Sequence, residues 1–508
     1  MISRQQFHQS FYLLATIVLA ASLPLSHFLM GLSCFIIFLN WIAEWNWNEK
    51  WKRMVNNRQF LLFSAFYIVF AIGLFNATDF KAASNEMLSK ITFLLAPIII
   101  ISSKQLKNKE LQVILTVFVL ATIFGCLWNT IYALTHNFWD FRAISRFIDH
   151  IRFGLCVVIS IVFCCFYAIK LRNCNKKLSL LYSLCAFLLL IYLLFSQTLS
   201  GIVILFFITL SFIFYLSFKI KNKKTKTISI TAISTILLVS SLYFCLITIS
   251  YFRPKEAVPN YSSVTAAGRT YNFDNSSIIE NGYYIGYYVC EEELKTAWNF
   301  RSDSTYNSDI SNTLIRYLNS KGLHKDSAAV MSLTDKDIKN IEQKFANIEY
   351  TKFFSTKKAL YQTFFGFTLY NKYNIYTESS LLQRFELWKA SWGLIKENYI
   401  FGVGIGNQRA ALDKRLEKIN SPIAHKKKDR GSHNQFITFW LTSGILTLIY
   451  FVFILIYPFV GIPDKINFVY FALILTIILS MIVEDTLNAQ TGRLLYTIFA
   501  PLILFSEK

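Results

Sequence analysis

The chain reads as an all-α polytopic membrane protein with about twelve transmembrane helices and one large segment outside the membrane. Three observations carry that expectation. Hydrophobic residues make up 54% and aromatic residues 17% of the 508 residues, with only 8 prolines, a composition of membrane proteins rather than soluble enzymes. Apolar runs approaching the roughly 20 residues that a spanning helix needs recur along the sequence. Lysine and arginine gather in short loops between alternate runs, as they do on the cytoplasmic side of membrane proteins.

The runs lie near 10–22, 24–43, 59–76, 90–103, 111–135, 152–170, 178–197, 200–218, 228–250, 434–458, 466–483 and 493–506. The first lacks a small-residue cleavage site and a second follows at once, so it is expected to be a retained helix rather than a leader. The basic loops are Lys50 to Arg58, Lys104 to Lys109, Lys170 to Lys177 and Lys219 to Lys226. With twelve spans they all fall on the side of both termini, which is thereby predicted to be cytoplasmic. Residues 1–250 then hold spans one to nine, 251–432 form a long outer segment, and 433–508 hold spans ten to twelve. Short outer loops fall near 76–89, 136–151 and 484–492. The net charge of +21 is partly this topology signal, and no soluble basic patch gathers it for nucleic-acid binding. Eight of the nine cysteines lie in or beside apolar runs, only Cys290 sits in the outer segment, and no CxxC pair suggests a metal or redox site.

The outer segment divides by composition. Residues 251–376 are polar, with "YNFDNSSIIENGYYIGYYV" expected as strand or loop and "LTDKDIKNIEQKFANI" as helix. Their aromatic content argues for an ordered insertion. Residues 379–398 form an expected amphipathic helix, with Ser380 as its cap and Leu381, Phe385, Trp388, Trp392 and Ile395 at helical spacing. Such a helix can lie along a membrane surface, and Arg384 and Trp388 share one of its faces. Residues 400–432 begin with "YIFGVGIGNQ", where Gly402, Gly404 and Gly406 alternate. The spacing fails the dinucleotide-binding pattern, and a flexible turn back to the membrane is the expected role.

Candidate chemistry concentrates at the outer ends of the runs. "GSHNQFITFW" places His433 at a seam between polar and apolar sequence. If Ser432 caps the tenth span, His433 and Asn434 occupy its first turn, where the helix dipole disfavours imidazolium and leaves a neutral base. The same helix end attracts anions such as phosphate. From position alone, a histidine that merely bonds a loop reads the same way. "FRAISRFIDHIRFG" brings Arg142, Arg146, Asp149, His150 and Arg152 to one membrane edge, on the side where positive charge is disfavoured. Bidentate binding of a diphosphate explains three arginines there, as does lipid headgroup contact or pairing with Asp140 and Asp149. Arg152 enters the span itself, where an ionisable residue is costly unless used. "MIVEDTLNAQTGRLLY" adds Glu484, Asp485 and Arg493. Its carboxylates could orient an acceptor hydroxyl, and pairing with the arginines is their simpler role.

"RFELW" from Arg384 to Trp388, "NYIFGVGIGN", "SHNQFITFWLTSGILTLIYF" and "EDTLNAQTG" together resemble the O-antigen ligase and polymerase superfamily of bacterial envelope glycosyltransferases. The likeness is strongest over residues 379–505. It implies a GT-C-like, metal- and cofactor-independent enzyme of the inner membrane. Its donor is a glycan on undecaprenyl diphosphate at the periplasmic face. Its acceptor is a lipid A-core sugar in ligases and another lipid-linked glycan in polymerases. The resemblance makes His433 the base that activates the acceptor hydroxyl, and Arg384 and Arg152 contacts of the donor diphosphate. Asn434 and Arg493 are further substrate-binding candidates. Where many relatives carry an arginine in an "SR-G" turn, this chain has "QTLSG" from Gln197 to Gly201, so that contact is either absent or supplied by Arg142 or Arg146. The insertion near 255–375 is larger than the family needs. Ligase is favoured over polymerase because one dominant outer segment carries both the Arg384 and His433 motifs. A polysaccharide flippase is an alternative of another class, although the repeats common in transporters are not evident. A structural envelope protein, a third possibility, would have no need of His433.

Overall fold

The computed structural model describes residues 3–136, 145–219, 222–255, 263–275, 277–352, 355–375, 380–424 and 431–506. Almost all regular structure among them is helical; the exception is a hairpin that pairs Ile279–Glu280 with Tyr283–Tyr284. Among the described residues, seven helices are long and apolar enough to cross a membrane. A bent pair, His27–Ala43 with Trp47–Asn56, makes eight if it is one span. Ile445–Gly461 and Phe468–Val483 are shorter apolar helices. The chain is thus an all-α polytopic membrane protein. Fewer helices reach spanning length than the twelve apolar runs suggested, and the reasons are local. Arg4–Ser22 spends its first turns on Arg4, Gln5, Gln6, His8 and Gln9. The last run is divided among Gln490–Leu494, one π-helical turn at Leu495–Phe499, and Ala500–Leu504. The tenth run breaks at Gly444 into Gln435–Ser443 and Ile445–Gly461.

That break is dictated by a close backbone approach. Gly444 has φ 83° and ψ 178°, and a Cβ there would lie 1.7 Å from the Ile400 carbonyl oxygen, so only glycine fits. The neighbouring Ile445 N–H donates to the Tyr399 carbonyl at 3.1 Å.

The chain divides into two compact units, 1–216 with 386–508, and 217–385. In the first, His150–Leu171 is the most enclosed of the spanning helices, with 72% of its most apolar window buried against 22% for Lys176–Phe195. An aromatic cluster joins sequence-distant helices. Phe66 on Gln59–Phe70 meets Phe93 at 4.9 Å, Phe439 at 5.1 Å and Phe451 at 5.3 Å, and Phe93 meets Tyr496 at 6.0 Å. Such pairs add about 0.5–1.5 kcal/mol each beyond burial, and here they fasten Gln435–Ser443 to the N-terminal helices.

The glycine turn after residue 400 is not the loose return expected from its composition. Val403 N–H donates to Leu441 O at 2.7 Å, Gly404 N–H to Thr442 O at 3.2 Å and Ile405 N–H to Gly73 O at 2.9 Å. Asn76 Nδ2 donates to Gly402 O at 2.8 Å, and Asn407 Nδ2 returns a bond to Asn76 O at 2.7 Å. A Cβ on Gly404, which has φ 98°, would meet Asn76 O at 2.3 Å. The glycines let two backbones touch, and the turn becomes a clamp on Gln435–Ser443.

The second unit holds helix Lys223–Phe252 and the insertion, which has its own core of Leu294, Trp298, Leu314, Tyr317, Leu318, Val330 and Ile341. These come from Glu291–Arg301, Ser308–Lys321, Ser327–Met331 and Asp335–Glu342. The helix expected in "LTDKDIKNIEQKFANI" forms as Asp335–Glu342, started by a capping box between Thr334 and Asp337. Fully buried Glu280 takes both arms of Arg316, each at 2.9 Å, and Arg316 lies over the Phe365 ring at 3.5 Å.

Ser380–Glu397 is helical and runs across the division between the units. Leu387, Ala390, Leu394 and Ile395 are buried, whereas Phe385 and Trp392 stay exposed. The interior therefore takes the aliphatic stripe, and of the apolar positions singled out by spacing only Ile395 is on it.

Candidate active site

His433 does not occupy a helical turn. Its backbone has φ 50°, a left-handed conformation that histidine adopts more readily than most residues. The helix behind it, Gln435–Ser443, is capped by Asn434, whose Oδ1 accepts the N–H groups of Phe436 and Ile437 at 3.0 Å each. Asn434 Nδ2 also donates to Ile482 O at 2.9 Å. The Asn434 side chain is thus engaged as the cap that Ser432 was expected to be, and His433 stands one residue outside the helix.

Asp485 holds this turn. Its Oδ2 accepts the His433 N–H at 3.0 Å and its Oδ1 accepts the Thr438 hydroxyl at 2.5 Å. Ser432 Oγ lies 2.6 Å from Thr438 Oγ1. A Cβ on Gly431 would sit 2.2 Å from Asp485 Oδ2, so glycine makes room for the carboxylate. Burial lifts the Asp485 carboxyl above its ordinary range, and the bonds from the Thr438 hydroxyl and the His433 N–H draw it part of the way back.

The imidazole faces Glu484. Nδ1 is 3.2 Å from Glu484 Oε2, and the same oxygen is 3.7 Å from Arg152 Nη2. Arg152 Nη1 is 3.0 Å from Asp149 Oδ1, and Asp149 caps His150–Leu171 through Ile151 N at 2.9 Å. The Glu484 side chain is only 5% exposed, against 29% for His433 and 20% for Arg152. With Nδ1–H donated to the carboxylate, Nε2 keeps its lone pair, a tautomer assigned from the partner. A buried carboxylate in this place both orients the ring and stabilises the imidazolium that forms when Nε2 takes a proton.

Three stretches predicted from sequence are thus brought together: "SHN", "HIR" and "ED". Arg146 takes another position: its guanidinium lies over the Tyr132 ring at 4.4 Å, and its N–H donates to buried Asn129. Arg142 and Asp140 lie outside the described residues. Arg493 is buried, with Nη1 donating to the carbonyls of Leu487 at 3.3 Å and Asn488 at 3.0 Å. Among the described residues it pairs with no carboxylate, and its Nε has no partner. Arg384 belongs to the second unit, on Ser380–Glu397. Among the described residues no three His, Cys, Asp or Glu are placed to hold a metal ion.

Sequence reasoning missed Lys90 and Glu86. Both are in this unit, paired at 2.9 Å, with Lys90 buried. Their i,i+4 spacing beside an apolar run is the signal that could have found them.

No curated protein matches the chain. Residues 353–452 match the family model described as O-antigen ligase. That segment runs from the end of the insertion through the outer helix, the glycine clamp and His433 into Ile445–Gly461, so the resemblance carried by the motifs is a resemblance to the O-antigen ligase superfamily.

Proposed function

We propose that the chain is an O-antigen ligase-like glycosyltransferase of the bacterial inner membrane, with both termini cytoplasmic and the His433 site periplasmic. In this reading the fold is GT-C-like with about twelve spans, several of them short or broken. A glycan passes from undecaprenyl diphosphate to a hydroxyl of a lipid A-core sugar. The observation that carries the proposal is His433 seated on buried Glu484 with Arg152 on the same carboxylate.

Nε2 of His433 accepts the proton of the acceptor hydroxyl while that oxygen attacks the anomeric carbon. The bond from that carbon to the diphosphate oxygen breaks, and undecaprenyl diphosphate leaves with the bonding pair. A single displacement inverts the anomeric centre. Arg152 is assigned to the leaving diphosphate, whose developing charge a guanidinium offsets best where water is scarce. Arg384 is assigned to the donor by the motif resemblance, Arg142 or Arg146 to the diphosphate contact missing from the "QTLSG" turn, with lipid headgroup contact or carboxylate pairing the equal alternative, and Arg493 to substrate binding from its place at the outer end of the last run.

The test is the envelope glycan profile of a strain lacking this protein, complemented with wild type or His433→Ala. Loss of lipid A-linked glycan, with full-length glycan accumulating on undecaprenyl diphosphate, is the expected outcome. A single repeat unit still joined to core would make the protein a polymerase instead. A normal profile with His433→Ala would make the imidazole structural.

A further inference from the structure

Gln435 is a buried polar side chain that the mechanism above does not use. It opens Gln435–Ser443, two residues beyond His433, and is fully buried. Its Oε1 accepts the Leu487 N–H at 2.8 Å, and among the described residues its Nε2 has no partner. A buried N–H without a partner is destabilising, and an apolar side chain would bring none. What glutamine adds at this position is therefore its acceptor oxygen.

That oxygen completes a set of three bonds. His433 N–H donates to Asp485 Oδ2 at 3.0 Å, Asn434 Nδ2 donates to Ile482 O at 2.9 Å, and Gln435 Oε1 receives the Leu487 N–H. Three successive residues on the histidine side thus grip positions 482, 485 and 487 on the other, and Glu484 lies inside that grip. Leu487 is held at its carbonyl as well, by Arg493 Nη1 at 3.3 Å. Glu484 stands at the end of Phe468–Val483, where the helix no longer dictates the course of the chain, so the bonds across to 433–435 set where its carboxylate meets the ring. Imidazole Nδ1 and Glu484 Oε2 are 3.2 Å apart, already at the long end for such a bond, and a slip of about half an ångström in the loop would break it. Of the three gripping residues, His433 is the base and Asn434 is the helix cap; Gln435 can be changed without touching either.

We infer that Gln435 is a positioning residue: its bond to the Leu487 N–H fixes the register of the Glu484 loop against the His433 turn, so that the carboxylate meets Nδ1. The inference rests on the reading of His433 as the base.

The experiment compares the full chain in lipid nanodiscs as wild type and Gln435→Met, each with and without Glu484→Ala. Methionine keeps the unbranched length and removes the oxygen. It exchanges one unpaired buried N–H, that of glutamine, for another, that of Leu487, so the thermal midpoint should stay close to wild type; Gln435→Leu makes the same exchange and stands in where methionine does not pack. In steady-state transfer kcat should fall about 100-fold, the cost of misplacing a reacting group by about 1 Å, with KM little changed. In the Glu484→Ala background no partner is left to position, and the same change should cost no more than about twofold, the usual error of additivity. Nitrogen NMR of histidine-labelled protein reads the ring directly: the His433 signal, identified by its absence from His433→Asn, should show the Nδ1–H tautomer in wild type and a mixture of tautomers in Gln435→Met. An unchanged kcat, an equal loss in the Glu484→Ala background, or an unchanged tautomer overturns the inference. So does failure of both Gln435→Met and Gln435→Leu to fold, which would make the bond part of the core. If wild type transfers no glycan, the reading of His433 as the base falls, while the tautomer still decides whether Gln435 sets the ring on Glu484.

Discussion

Glu484→Gln separates orientation of the histidine from stabilisation of its charge. The amide keeps the shape of the side chain and can still accept Nδ1–H, so the tautomer survives; the negative charge does not. At 3.2 Å a full positive charge on the ring interacts with the carboxylate by about 5 kcal/mol at an effective dielectric of ~20. The imidazole is 29% exposed and the same oxygen also serves Arg152. Roughly half of that attraction, ~2.7 kcal/mol, is therefore expected to count as the proton arrives, which is about a 100-fold loss in kcat. Arg152 remains paired with Asp149 at 3.0 Å, so binding of donor should change little. The assay is single-turnover transfer from purified lipid-linked glycan to core acceptor, with thermal midpoint as the control for folding. A folded Glu484→Gln enzyme with kcat within about threefold of wild type would refute the dyad.

Three further outcomes follow from the same geometry. His433→Asn should fold as well as wild type, because asparagine tolerates the left-handed backbone, and should transfer no glycan; His433→Val should cost about 1–2 kcal/mol in addition, both read by midpoint and glycan profile. Gly444→Ala should destabilise by at least ~3 kcal/mol, since its Cβ would meet Ile400 O at 1.7 Å with φ at 83°; a detergent-purified variant melting with wild type would contradict the close approach. In the insertion, burial raises the Asp337 carboxyl, but bonds from Lys321, Tyr317 and Thr334 outweigh it and hold it below the usual carboxylate range. A depressed folded value means stability present above about pH 4 and lost as pH falls below it. Hydrogen-exchange protection over residues 308–342 of the whole protein, taken relative to the unfolded-chain rate at each pH, should fall on acidification in wild type and much less in Asp337→Asn.

Much of the candidate site was legible at the ends of apolar runs. His433, Arg152 and Glu484 each stand where a polar seam meets a hydrophobic stretch, and an ionisable side chain in such a place is costly without a partner. What could not be read was which partner. Glu484 serves both His433 and Arg152 from a stretch far from either in sequence, and hydropathy has no information on which helix ends converge. Lys90 escaped notice because Phe80–Ser89 is short and mixed in character, and the i,i+4 spacing from Glu86 reveals a pair without revealing that it is buried.

By itself, the sequence determined the all-α membrane class and where the apolar runs lie, because helical hydrogen bonds and transfer into lipid depend on nearest neighbours and on runs of apolar side chains. It also supplied the motifs of the outer helix, the glycine turn and the histidine seam. Only the tertiary structure decided that the tenth run breaks at Gly444, that the glycine turn is a clamp, and that His433 leaves the helix to stand on Glu484. Each of these depends on one backbone or charge meeting another from a distant part of the chain, and steric exclusion and desolvation act across space without regard to sequence separation.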